Sequence, residues 1–563
     1  MKLQTITFIA AAFVLIVGVL LMAAASSSRR AVPAFGGEVI GAGAATVGGW
    51  LQGCFGFGSR VEAQEPGSLS MAESSLCGSA SRIEAQEATW SGTETAAGTE
   101  IESGTMSVPA SYVIYINWDG FAYDYYKWAN GPDDPGTPAL NFLASRGALF
   151  TGARNGFPGI TNPMQTSIVT GAWPAVHGNT YRYYDPSANL VRQTGRNNAA
   201  ETIAEAVASS GLSCASVQQF MLDGRGTYPD DPRHLYIQPG GPWQRRVSEA
   251  TKILRREPVA STGGTVTVPE IPRLLAIYAD DLDAAGHNSG FGYGLSLAFN
   301  YESWKTKMVR QLAAMDAGLG LLVDALKDLG IFDRTAIVLT SDHGMSTLSG
   351  KSSLPDLLDT LRDLGYKCEL LPQNGRAADD TQIVLVSAGL AVQFYFRWDI
   401  TLSQYNAIID ALAEKPYMGG YMSLHELKKA GAHPSLGSLL VWPKPPHHFR
   451  TQGFFLGISG QHDSGDETSR HVFMMLSGAG VRPGVVVDKP VEIIDVAPTI
   501  AYLLGVRPPA NATGRVLTEA LLPEPARLEP PHETHETPGL PEPNAVPEAP
   551  KPESQEMRQE DVP

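Results

Sequence analysis

Three short apolar runs recur along the middle of the chain, and each stops at or near an aspartate. Residues 112–117 (YVIYIN) precede Asp119, residues 273–279 (RLLAIYA) precede an Asp-rich segment, and residues 335–340 (TAIVLT) precede Asp342. Unbroken runs of β-branched and aliphatic residues bounded by polar ones mark strands buried on both faces of a parallel sheet. Between them the apolar spacing lengthens to that of a helix. The clearest case covers 301–329, where Met308, Leu312, Met315, Leu319, Leu322, Leu326 and Leu329 share one face, a stripe that reads as core packing. Alternating strand and helix predicts an α/β fold, a doubly wound, mostly parallel sheet with helices on both faces. Ligands of such sheets gather beyond the carboxyl ends of the strands. One aspartate after a strand is commonly a cap or turn former; three at the same edge predict a shared site.

The pattern holds only over about 109–522. Residues 6–25 form an apolar run without a charge, preceded by Lys2 and closed by AAASSS. It is long enough to span a bilayer, so residues 1–30 read either as a cleaved signal peptide or as a retained membrane anchor. Both readings predict export, to the cell envelope or the extracellular space. Residues 31–108 are rich in Gly, Ala, Ser, Glu and Thr, and SRVEAQE at 59–65 recurs as SRIEAQE at 81–87. Such a stretch cannot bury enough apolar surface to offset its ordering entropy and reads as a disordered linker. Residues 523–563, dominated by Pro and Glu, read as an extended, disordered tail. The formal net charge of −16 over 563 residues argues against a nucleic-acid scaffold, which needs a basic face. The four cysteines include no CxxC pair, which argues against a cysteine zinc site. Cys214 and Cys368 fall in the foldable part and could pair in an exported protein.

The acid and imidazole groups carry the chemistry. Asp119-Gly120 follows the first strand. Asp283 and His287 stand four apart in DAAGH, so one helical turn could aim both at one ion; Asp280 and Asp281 compete for the acidic place. Asp342-His343-Gly344 follows another strand, and His462 lies in the glycine-flanked SGQHDSG. Carboxylate oxygen and imidazole nitrogen suit zinc. Three Asp and three His could fill two adjacent sites, an arrangement suited to in-line phosphoryl displacement. Thr161, in GITNPMQTSIVTG, stands where a loop enters a helix. Its hydroxyl is either a helix cap or a nucleophile in a place that favours anions.

Taken in order, WDGF, TNPMQTSIVTG, WPAVHGN, DLDAAGH, SDHGM and GQHD resemble the nucleotide pyrophosphatase/phosphodiesterase branch of the alkaline phosphatase superfamily. The resemblance covers about 112–510, with IIDVAPTIAYLLGVRPP resembling that family's closing helix and turn. It implies two zinc ions, one held by Asp119, Asp342, His343 and the Thr161 hydroxyl, the other by Asp283, His287 and His462. It also implies hydrolysis of a small-molecule phosphodiester or pyrophosphate through a covalent phospho-threonine at Thr161. Phosphonoacetate hydrolases share the plan, so a carbon–phosphorus hydrolase is the alternative enzyme; a phosphomonoesterase or a non-catalytic surface binding protein stands further off.

The chain departs from the family beside the nucleophile. Nucleotide-cleaving relatives read Thr-Phe-Pro-Asn-His where this chain reads Thr161-Asn162-Pro163-Met164-Gln165. Met164 cannot donate to a phosphate oxygen, which leaves Asn162 or Gln165 as candidate substrate contacts. Asn162 replaces an aromatic that often assists nucleobase binding. Cys or Ser before x-Pro-x-Arg would mark a sulfatase, and neither pattern is present. His177 is not carried over as a ligand, and His447 and His448 are expected at the surface. The segment from about 347 to 450 is expected to form a small α+β insertion that caps the site. Asn511-Ala512-Thr513 is a glycosylation sequon, which has meaning only in a eukaryotic secretory pathway.

Overall fold

The computed structural model describes residues 110–288, 297–451 and 454–523. The segments assigned to a signal or anchor (1–30), a linker (31–108) and, from 524, a tail lie outside the described residues. Among the described residues, no helix is long and apolar enough to cross a membrane.

The three apolar runs form the middle of one eight-stranded sheet. They are Tyr112–Trp118 (β1), Leu274–Ala279 (β5) and Thr335–Thr340 (β6). The remaining strands are Gly147–Phe150 (β2), Cys214–Val217 (β3), His234–Ile237 (β4), Met474–Gly478 (β7) and Val485–Val487 (β8). Their spatial order is β8-β2-β7-β6-β1-β5-β3-β4. Neighbours from β6 to β4 pair in parallel; β7 runs antiparallel to both β6 and β2.

The period-two alternation of each run sorts its side chains between two cores. Ile114, Ile116 and Trp118 of β1 join one apolar cluster with Leu275 and Ile277 of β5 and Ile337 and Leu339 of β6. Val113 and Tyr115 join the other, with Leu274, Ala276, Ala336 and Val338. Both faces are therefore covered, which is why the runs are apolar throughout. The periodic helix is observed as Tyr301–Asp328; its predicted stripe faces the first cluster, while Leu321 on its other side is exposed. An Asn300–Ser303 capping box starts it, satisfying amides the first turn leaves free.

A second sheet occupies the interval between SDHGM and GQHD. Its five strands run in the order Cys368–Leu370, Ile383–Ser387, Val392–Phe396, Leu439–Pro443, Met418–Ser423, with helices at Leu354–Asp363 and Leu402–Ala413. A two-stranded ladder, Ser346–Lys351 against Phe454–Gln461, joins it to the main sheet. Cys214 and Cys368 are both buried free thiols, one in β3 of the main sheet and the other in the second sheet, so they do not form the disulfide considered above. His448, expected at the surface, is fully buried, with Nε2 facing the Gly350 carbonyl at 3.3 Å.

Candidate active site

The register of the parallel strands brings their acidic ends together. Trp118 pairs with Ala279, and Asp119 N–H donates to the Ala279 carbonyl at 2.8 Å. Asp283, in the short helix Asp281–His287 (α3), donates its N–H back to the Asp119 carbonyl at 3.1 Å. Gly120 makes that approach possible. Its φ is +75°, and a Cβ there would lie 3.0 Å from Asp283 Cα. The competition among three aspartates is resolved by the helix Trp243–Arg255 (α2). Asp280 pairs with the buried Arg246 at 2.6 Å, and Asp281 accepts the Trp243 N–H at 3.0 Å. Asp283 alone faces the cluster, 3.2 Å from His287 Nε2 and 3.9 Å from His462 Nε2.

All three histidines are oriented the same way. His287, His343 and His462 present Nδ1 to the carbonyls of Gly460, Gly344 and Gly159 at 3.0, 3.0 and 2.9 Å. A carbonyl only accepts, so Nδ1 carries the hydrogen, and the Nε2 of a neutral ring is left with its lone pair facing the carboxylate oxygens. His343 Nε2 lies 3.2 Å from Asp119 Oδ1 and 3.5 Å from Asp342 Oδ2. Asp119 Oδ1, Asp283 Oδ1 and Asp342 Oδ2 are buried without a hydrogen-bond partner. Such oxygens against such nitrogens require a proton or a cation between them.

Electrostatics agree. Burial, with Asp342 and Asp283 nearby, pushes the Asp119 carboxyl well above its ordinary range. Burial also raises Asp342, although His343 opposes it. Asp283 goes the other way: His287, through its charge and its hydrogen bond, holds it low against burial. Among the described residues two groups converge closely enough to hold a metal ion, Asp119 with Asp342 and His343, and Asp283 with His343 and His462. Oxygen and imidazole donors fit zinc, and the carbonyls behind each ring are the usual orienting partners of metal-bound histidine.

Thr161 opens the helix Thr161–Thr170 (α1), whose cap is Ile160 without any side-chain capping bond. The hydroxyl is thus not spent as a cap; its Oγ1 lies 3.1 Å from His343 Nε2. The two candidate substrate contacts separate here. Asn162 sits near the surface and donates to the Gly195 carbonyl at 3.2 Å. Gln165 is fully buried; it donates to Asn117 Oδ1 at 2.6 Å and accepts from Gln219 at 2.8 Å, so its amide is spent inside the protein. His177 is buried behind α1, 2.9 Å from Ser167 Oγ, away from the carboxylates.

Two further residues bear on the site that the sequence reading did not single out. The Tyr278 hydroxyl donates to Asp119 Oδ2, and Asp463 grips the turn before Thr161. Tyr278 had one legible signal, a hydroxyl inside an otherwise apolar strand.

The sequence model of the type I phosphodiesterase / nucleotide pyrophosphatase family matches residues 113–420. The chain belongs to this family. It is a hydrolase of the type I phosphodiesterase/nucleotide pyrophosphatase class. It is 24% identical over 436 residues to rat ectonucleotide pyrophosphatase/phosphodiesterase family member 7, covering 71% of this chain and 84% of that protein. Human family member 1 is 24% identical over 253 residues, and the match spans 24% of its length. Venom phosphodiesterase 2 of Crotalus adamanteus is 25% identical over 265 residues, spanning 29% of its length. Among solved structures, murine ectonucleotide pyrophosphatase/phosphodiesterase 5 aligns with a TM-score of 0.49 and 16% identity, covering 70% of this chain and 96% of that one.

Proposed function

We propose that this family member hydrolyses phosphodiester or pyrophosphate bonds with Thr161 as covalent nucleophile at a centre of two zinc ions. The observation that carries the reading is the Thr161 hydroxyl, uncapped at the start of α1 and 3.1 Å from His343 Nε2. Asp119, Asp342, His343 and Thr161 would hold one ion; Asp283, His287 and His462 would hold the other. Zinc, when bound, supplies positive charge that favours ionised Thr161 Oγ1 and the departing ester oxygen.

The protein's own groups do the rest. Thr161 Oγ1 forms a bond to phosphorus as the opposite ester oxygen leaves, and water then cleaves the phospho-threonine. At the start of α1 the N–H groups left for charge on the non-bridging oxygens are those of Thr161 and Asn162, since Pro163 has none and Met164 donates to the Ile160 carbonyl at 3.0 Å. Asn162, at the surface of the same turn, is the candidate substrate contact. Gln165 acts from beneath by holding Asn117 and Gln219. The insertion between about 347 and 450 caps the cleft and sets substrate choice. Export is supported by the apolar run at 6–25 and by relatives named as ectoenzymes.

A substrate panel on the zinc-loaded full chain tests this reading. Nitrophenyl phosphodiester should be turned over well, with phosphomonoester and phosphonoacetate poor; the reverse order would favour the carbon–phosphorus alternative. Thr161→Ala should lower kcat by about a thousandfold or more while leaving zinc content and melting temperature in place. Near-normal turnover in that variant would overturn the assignment.

A further inference from the structure

Asp463 is fully buried with φ +62°. That left-handed conformation is one glycine adopts freely and a side chain adopts at a cost. A carboxylate kept in such a place calls for a reason, and its contacts supply one. Asp463 Oδ1 accepts the Gly159 N–H at 3.0 Å, and Asp463 N–H donates to the Gly159 carbonyl at 3.0 Å. The same carbonyl accepts from His462 Nδ1 at 2.9 Å. Both peptide groups of Gly159, two residues before Thr161, are therefore held by two consecutive residues.

Those two residues are themselves anchored. The Leu390 and Ala391 N–H groups donate to the His462 and Asp463 carbonyls at 3.0 and 2.8 Å. They belong to the turn between Ile383–Ser387 and Val392–Phe396 of the insertion sheet. The turn comes this close because residue 389 is glycine; a Cβ there would lie 2.5 Å from the His462 carbonyl oxygen.

We propose that Asp463 is a positioning residue, whose carboxylate fixes the turn at Gly159 so that Thr161 Oγ1 is held at the reacting centre. The inference rests on Thr161 as nucleophile. Loss of Oδ1 leaves the Gly159 N–H without its acceptor and lets the turn swing on the two bonds to its carbonyl. A displacement of about an ångström at a nucleophile lowers the rate on the order of a hundredfold without changing how substrate binds.

The test compares the full-length zinc-loaded wild type with Asp463→Gly and Asp463→Asn. Glycine removes the carboxylate while suiting the left-handed backbone; asparagine keeps an acceptor oxygen. For Asp463→Gly, kcat should fall about thirty- to a hundredfold with KM within about twofold, zinc content and melting temperature near wild type, and faster hydrogen exchange in the segment 157–162. Asp463→Asn should stay within about threefold of wild type by every measure. Unchanged kcat and exchange in Asp463→Gly would overturn the proposal. So would an equal loss in both variants accompanied by lost zinc and a lower melting temperature, which is what a merely structural role gives. A wild type that turns over no phosphodiester would refute the function proposed above, while the exchange comparison would still decide whether Asp463 positions this turn.

Discussion

The imidazoles of His343 and His462 lie face to face, centroids 3.7 Å apart and planes 12° from parallel. Two rings this close cannot both hold a positive charge. Burial, reinforced by His343, pushes His462 well below its ordinary value, so its Nε2 stays a lone-pair donor. With their Nδ1 atoms fixed by the carbonyls of Gly344 and Gly159, the two rings form a rigid pair facing three carboxylates.

Removing divalent metal should therefore cost stability as well as turnover. Chelated protein is expected to melt about 5 °C or more below zinc-loaded protein, because a ligand bound only by the native state stabilises it by mass action. Thermal unfolding with and without restored zinc checks this; coincident melting curves would mean that the cluster gains nothing from a cation.

Tyr278 gives its hydroxyl to Asp119 Oδ2 and leaves Oδ1 toward His343. Tyr278→Phe removes that hydrogen bond and little else. Zinc affinity should fall about 10- to 100-fold, as losses of orienting partners do, and competition titration against a zinc indicator measures it. An affinity equal to wild type would show that Asp119 needs no such partner.

Gln165 and Asn162 are neighbours with opposite expected phenotypes. Gln165→Leu strands buried groups of Asn117 and Gln219 and should destabilise the fold by about 1–3 kcal/mol. Asn162→Ala lies at the surface and should leave stability within about 0.5 kcal/mol while lowering kcat/KM. Urea denaturation and steady-state kinetics on both variants separate the two effects.

His177 gives a pH dependence of definite sign. Its Nδ1 accepts the Asn179 N–H at 3.1 Å, so Nε2 carries the hydrogen shared with Ser167. Burial, with His433 adding to it, pushes its pKa down to about 3. Below about pH 6.5 the unfolded chain takes up a proton that the folded one refuses, so stability is lost as pH falls from there toward 3. At pH 5 the loss is about 2 kcal/mol, from about 1.5 units at 1.36 kcal/mol each. His177→Gln should be less stable at pH 7 but lose about 2 kcal/mol less between pH 7 and pH 5. Urea denaturation at both values reads the difference, and equal losses would count against a neutral buried imidazole.

The strands and the long helix were legible because both faces of the sheet are covered. That forces unbroken apolar runs at β1, β5 and β6, and their ends carry the acids. Thr161 was ambiguous by itself, since a threonine entering a helix is as good a cap as a nucleophile; the absence of a capping bond is a property of three dimensions. Asp283 was set apart from Asp280 and Asp281 by its four-residue spacing to His287; what occupies the other two, Arg246 and the Trp243 amide, comes from another helix and was not legible. The same reason hid the burial of His448 and the inward turn of Gln165: partners distant in sequence decide where a polar side chain is satisfied. Asp463 gave no sign, since a left-handed aspartate looks like any loop residue until its backbone angles are known.

The bonds from Leu390 and Ala391 to the His462 and Asp463 carbonyls tie the insertion to the centre. A segment proposed to choose substrates would be expected to diverge freely, because loops vary while the scaffold stays constant. Here its innermost turn also holds the backbone of His462 and Asp463. Exchanging the insertion between relatives to change substrate range would succeed only when these two amide donors and the close approach at Gly389 are kept. A proline introduced at either position would remove one of these donors and loosen the backbone of His462 or Asp463 from within the insertion.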